Sequence, residues 1–193
     1  MATIYIIEGP AGVGKSTWLK AVGDHPGRVV IQSSLEAITN SRLPDQYAAA
    51  VGSAINDYSK LIRAIAATTF DEAEEIYIDR CILSHLVYSS VRTQRTPMIH
   101  EARIMGRRWL EHGSMMFHRA ISELQGRGVA VEPSHLFRYR ILLPPSWDVL
   151  KERRANSPKT YPSGYMDYEI YKMVAEYLVG NHYRDKFGVV TVY

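Results

Sequence analysis

The chain has a single cysteine, Cys81. One thiol can neither close an internal disulfide nor build a multi-cysteine zinc site, which fits a reducing compartment. Cys81 itself reads as a small buried residue rather than a nucleophile. No stretch approaches the roughly 18 consecutive apolar residues of a membrane-spanning helix, so no membrane partner is expected. The apolar first strand carries no basic leader, which argues against a signal peptide and for a cytoplasmic location. Net charge is small, +3 over 193 residues. A phosphate-bearing ligand is compatible with that balance without being demanded by it, and nucleic acid stays open as a partner. Internal repeats and low-complexity tracts are missing too. At 46% hydrophobic and 22% charged residues, the composition is that of an ordinary globular protein, and the length suits one domain with a sizeable core.

What is present is concentrated near the start. Gly9-Pro10-Ala11-Gly12-Val13-Gly14-Lys15-Ser16, followed by Thr17, fits the G-x-x-x-x-G-K-[ST] pattern at every fixed position. Before it, Thr3 to Ile7 has the β-branched and aromatic content of a buried parallel strand. After it, Thr17 to Val22 reads as a helix stopped by Gly23. Glycines let the backbone close around phosphate oxygens, so that successive N–H groups and the positive end of the helix face the anion. Lys15 is then expected to reach the β- and γ-phosphates of ATP, and the Ser16 hydroxyl to ligate Mg²⁺.

Along the chain, Arg28 to Gln32 reads as a second strand, and Ser33 with Glu36 as a capping box. A helix is expected over about 45–67, with Tyr47, Val51, Ile55, Tyr58, Ile62 and Ile65 on one stripe. The acidic run Asp71 to Glu75 reads as a solvated connection. Ile76-Tyr77-Ile78 is the expected third strand, delivering Asp79-Arg80 at its C-terminal end, the edge where ligands gather in parallel sheets. A helix follows over Leu83 to Val91, another starts at Thr96-Pro97, and a third runs from Ser114 to about Gly126. Tyr139 to Leu143 is the expected fourth strand, halted by Pro144-Pro145. Ser146 caps a helix carrying Lys151, Arg153 and Arg154. A last helix over Asp167 to His182 places Ile170, Met173, Val174, Tyr177 and Leu178 on one face, and Val189 to Val192 closes the chain as a fifth strand. Strands separated by helices imply an α/β fold with a parallel sheet covered on both faces.

Asp79 followed by Arg80 is informative. An arginine beside the phosphate loop can stabilise charge on a transferring phosphoryl group, while Asp79 can orient Mg²⁺. A surface ion pair or helix cap would use the same two residues. If the acceptor is a hydroxyl, Asp79 and Glu8 are the candidate bases nearest the loop.

These motifs resemble the thymidylate kinase and deoxynucleoside kinase group of small P-loop kinases, especially the short versions of phage genomes. Ile6-Ile7-Glu8-Gly9 leading into Gly14-Lys15-Ser16-Thr17 is similar to their opening. Ile78-Asp79-Arg80 with Ser84 to Tyr88 is similar to their Asp-Arg segment. Leu150 to Arg154, the loop to Gly164 and the helix through Glu176-Tyr177-Leu178 resemble their lid and closing helix. The resemblance implies a three-layer P-loop kinase fold, with a five-stranded parallel sheet in the order 2-3-1-4-5. It also implies a helical lid at about 151–166 in a single domain. By the same resemblance Lys15, Asp79, Arg80 and Arg153 are the catalytic residues, and Ser16 and Asp79 hold the metal. Residues Gly9 to Thr17 with Arg153 and Arg154 bind nucleotide, one of the two arginines reaching the ATP phosphates. Those arginines also read as a basic helix end favoured by the helix dipole.

Two positions depart from the group. Ala11 stands where thymidylate kinases often have an aspartate, and Gln32-Ser33 where an acidic residue follows the second strand. The implied reaction is ATP-dependent phosphoryl transfer to a nucleoside monophosphate or nucleoside. A kinase acting on a hydroxymethylated base such as hydroxymethyluracil within DNA is the alternative. Arg92, Arg95, Arg103, Arg107, Arg108 and Arg119 would serve that reading as a phosphate-facing patch, although Arg103 and Arg107 with Glu111 also form an i, i+4 charged face. Tyr88 and Trp109 are the stacking candidates. An ATP-hydrolysing switch is a third reading, disfavoured by Arg80 and by the lack of an Asn-Lys-x-Asp segment. A homodimer stays open.

Overall fold

The computed structural model describes residues 3–32, 75–80, 137–161, 164–179 and 190–192, with single positions between 83 and 128. In chain order the elements are β1 (Thr3–Glu8), α1 (Lys15–Gly23), β2 (Arg28–Gln32), β3 (Glu75–Asp79), β4 (Phe137–Leu142), α2 (Trp147–Ala155), α3 (Met166–Val179) and β5 (Val190–Val192).

The strands form one parallel sheet in the order β2-β3-β1-β4-β5, as expected. β1 is central, and Ile4, Ile6 and Ile7 are wholly enclosed. A strand hydrogen-bonded on both sides, with helices above and below, has no solvent face to mark with polar residues, hence its nearly unbroken apolar run. Alternation sorts the two faces. Tyr5 stacks on Tyr77 at 4.9 Å, Trp18 of α1 meets Tyr77 edge-on at 5.6 Å, and Ile7, Leu19 and Leu142 join that layer. Glu8 faces the other way, toward Ser84 and Tyr171 of α3. The sheet is therefore covered on both sides at its centre.

Several details differ from the sequence reading. Helix α1 starts at Lys15, because Gly14 takes the left-handed conformation (φ 104°) that turns the loop directly into the first helical residue. Glu75, expected in a solvated connection, begins β3. It lies opposite Arg28 in the sheet register, pairs with that guanidinium at 2.6 Å and accepts the Tyr77 phenol at 2.9 Å. β4 spans Phe137–Leu142, two residues earlier at its start than expected, and pairs Ile6 with Tyr139. In α3 the buried stripe is Ile170, Tyr171, Val174, Ala175 and Leu178, with Met173 and Tyr177 at its margins. The Ser146 cap is as expected, its hydroxyl accepting from Val149 N at 3.3 Å. Leu83, Ser84, Val87, Tyr88 and Val91 are helical, as are Met115, His118, Arg119, Ser122, Gln125 and Gly126. The capping box at Ser33 and Glu36, the helix over 45–67, Cys81 and the helix start at Thr96 lie outside the described residues. So do Trp109 and the patch arginines other than Arg119.

Candidate active site

Sheet register assembles the site. β1 and β3 run parallel with Ile7 opposite Asp79, so Glu8-Gly9 and Asp79-Arg80 leave the sheet at one edge. Arg80 N donates to Ile7 O at 2.9 Å, which locks the two exits together. Residues 72 positions apart in the chain become neighbours by that ladder alone.

Gly9, Gly12 and Gly14 have φ of 141°, 81° and 104°, a region L side chains rarely enter. At Gly9 a Cβ would also lie 2.3 Å from Leu142 O. The loop thus threads against the end of β4 with no room for a side chain. Helix α1 has no side-chain cap and no acidic residue in its first turn, so its leading amides are left for an anion.

Lys15 is only 4% exposed. Its Nζ donates to Gly9 O and, at 2.8 Å, to Pro10 O, so in this structure the ammonium is folded back onto the loop. Burial holds its pKa well below the usual lysine value; the Arg80 charge lowers it further, against Asp79, Glu8 and Asp167. Two cations crowding a sheltered space are an arrangement that a polyanion would relieve. Arg80 is itself in the left-handed region (φ 68°), and its guanidinium lies 5.1 Å over the Tyr88 ring.

A cleft of about 470 Å³ is lined by Ser16, Lys20 and Asp79, among others. Asp79 Oδ1 is buried without a hydrogen-bond partner. A buried carboxylate oxygen lacking any donor suits a hard cation, and a hydroxyl and a carboxylate are the oxygen ligands Mg²⁺ takes alongside phosphate and water. Among the described residues no group of three or more His, Cys, Asp and Glu could hold a metal without such help.

Glu8, a candidate base, is fully enclosed. It accepts from Ser84 N at 3.3 Å, Ser84 Oγ at 2.5 Å and Tyr171 Oη at 3.0 Å. Burial, then the Glu8 charge, raises the Tyr171 pKa well above its ordinary value and keeps the phenol a donor. Those bonds tie Glu8 into the scaffold, whereas Asp79 and Asp24 line the cleft.

The two arginines of the expected lid part company. Arg153 is exposed and donates from Nη1 to Val13 O at 3.2 Å. Arg154 is 8% exposed and pairs through Nη2 with both oxygens of Asp167 at 2.8 Å. Its Nε donates to Ala11 O at 2.9 Å and its Nη1 to Gly164 O. Thr17 is exposed on the first turn of α1. Sequence reading had missed Asp167. Its only local signal was an acidic residue in a helix's first turn, which a helix dipole explains equally well.

No model of a protein family matches the chain, and no curated protein does. Among solved structures it is similar to a deoxyadenosine kinase from M. mycoides with bound dATP, at 13% identity over 99% of this chain and 90% of that one, with a TM-score of 0.47. Among the described residues no helix is long and apolar enough to cross a membrane.

Proposed function

We propose that the chain is an ATP- and Mg²⁺-dependent phosphotransferase whose acceptor is a nucleoside or nucleoside monophosphate. The observation carrying this reading is the convergence of Lys15 and Arg80 on a loop whose glycines sit at positive φ, beside an unpartnered Asp79 oxygen. Donor phosphates would take the loop amides and draw the Lys15 ammonium off the Gly9 and Pro10 carbonyls. Arg80, at the exit of β3, would face the transferring group and stabilise its charge. Ser16 and Asp79 would hold Mg²⁺, which when bound neutralises charge on the phosphate oxygens. Arg153 would swing from Val13 O onto the donor as the 151–166 segment closes over it. Arginine rather than a second acid after Asp79 favours transfer over hydrolysis.

Labelled ATP offered with nucleosides, nucleoside monophosphates and plain or hydroxymethylated oligonucleotides tests the reading. Label is expected in a small acceptor. Label confined to the oligonucleotide would replace that acceptor with a DNA base, and hydrolysis indifferent to every acceptor would replace transfer with a switch.

A further inference from the structure

Arg154 and Asp167 form a pair with side chains 7% and 0% exposed. A buried ion pair is costly to desolvate and often no more stable than an apolar pair of the same shape, so its presence calls for another reason. The reason lies in what else the pair touches. Asp167 Oδ2 accepts from Ala11 N at 3.0 Å, and Arg154 Nε donates to Ala11 O at 2.9 Å. The pair therefore grips the two successive peptide groups that flank Ala11, one by its N–H and one by its C=O.

The grip is itself held. The Arg154 guanidinium sits 5.4 Å from the Trp147 ring and 5.3 Å from the Tyr161 ring, and all three of its nitrogens have partners. Contact with the loop is close: a Cβ on Gly12 would fall 2.8 Å from Arg154 Cγ and 3.3 Å from the Tyr161 ring. Asp167 is fixed by the first turn of α3. A guanidinium so engaged is not free to follow a phosphate.

We propose that Asp167 and Arg154 are positioning residues that set the curvature of the phosphate loop, Arg154 acting through the Ala11 peptides and leaving phosphate contact to Arg153. The proposal deepens the phosphotransferase reading and rests on it. The planar guanidinium explains the choice of arginine, since a lysine could not bond the Asp167 carboxylate and the Ala11 and Gly164 carbonyls from three fixed directions.

The test separates loop positioning from plain stability. In the double variant Arg154→Met/Asp167→Leu the core contact is replaced by an apolar one, so urea stability is expected near that of the native chain. Ala11 loses both partners, and the dissociation constants for MgATP and for tripolyphosphate are expected to rise about tenfold or more, the size of one lost charge-assisted hydrogen bond. The KM of the acceptor should not change. A double variant that is stable and binds both ligands within about twofold of the native chain overturns the proposal. Should that variant fail to fold, Asp167→Asn and Asp167→Leu decide the matter, because asparagine keeps an oxygen for Ala11 N–H. Tighter MgATP binding by Asp167→Asn supports positioning, and equal binding overturns it. Native protein that binds neither ligand overturns the phosphotransferase reading and, with it, this one.

Discussion

Arg80 occupies a backbone conformation that glycine prefers, at φ 68°. The left-handed region costs a residue with a Cβ about 1–2 kcal/mol, and such strain persists where neighbours over-determine it. Here the Ile7 O hydrogen bond and the ring of Tyr88 do so. Arg80→Gly is expected to be about 1 kcal/mol more stable than Arg80→Ala in urea denaturation. Both should lose on the order of 10³ or more in kcat, as arginines facing a transferring phosphoryl group do. Equal stability of the two variants would mean the strain is not stored there.

Lys15 carries a second expectation at this scale. Burial, then Arg80, depresses its pKa below 10.5 in the free protein, whereas a bound polyphosphate supplies the opposite charge and raises it. In the window between the depressed value and 10.5, the complex holds more protons on Lys15 than the free protein does. MgATP binding should therefore take up protons within that window, as read by calorimetry in buffers of different ionisation heat. Lys15→Arg, charged throughout, should show none, and uptake persisting in that variant would assign the proton elsewhere.

At the scale of elements, the loop packs closely against the end of β4. Gly9→Ala forces a Cβ against Leu142 O at 2.3 Å and Leu142 C at 3.3 Å, main-chain atoms held in the sheet. A loss of about 3 kcal/mol or more is expected. Gly14→Ala, with nothing within 4 Å of its Cβ, meets only backbone strain and should lose about 1–2 kcal/mol. Similar losses at the two sites would show that the approach to β4 is soft.

Strand and helix are joined on the other face by Tyr171 and Glu8. Tyr171→Phe removes one of the donors to an enclosed carboxylate and should cost about 1–2 kcal/mol of unfolding free energy. A variant as stable as the native chain would make that bond dispensable.

For the molecule as a whole, ligand binding and folding are linked in the proposed reading because the proposed phosphate site exists only when β1, β3 and α1 are assembled. At MgATP concentrations about 100-fold above the dissociation constant, the gain is about 2.7 kcal/mol. For a chain of this size that raises Tm by roughly 5–10 °C. Lys15→Ala should fold, transfer nothing and show little of that rise. A full thermal shift in Lys15→Ala would detach the lysine from the phosphates.

Much of this architecture was legible beforehand. Thr3 to Ile7 declares itself a buried strand by composition, Gly23 and Pro144-Pro145 mark where elements stop, and Ser146 announces the helix it caps. Glu75 misled because an acidic run looks solvated until Arg28 is seen across the strand pair. Asp167 and Tyr171 were silent because their partners, Ala11 and Glu8, are 156 and 163 residues away.

The sequence alone determined the glycine loop and its flanks, since three glycines, a lysine and a serine behind an apolar strand act through local backbone freedom and local charge. Only the tertiary structure decided which groups meet that loop. The β1–β3 register brought Asp79 and Arg80 to it. Packing buried Arg154 and left Arg153 exposed, because adjacent helical residues lie about 100° apart and the side of α2 that turns inward is set by what it packs against, not by the pair itself.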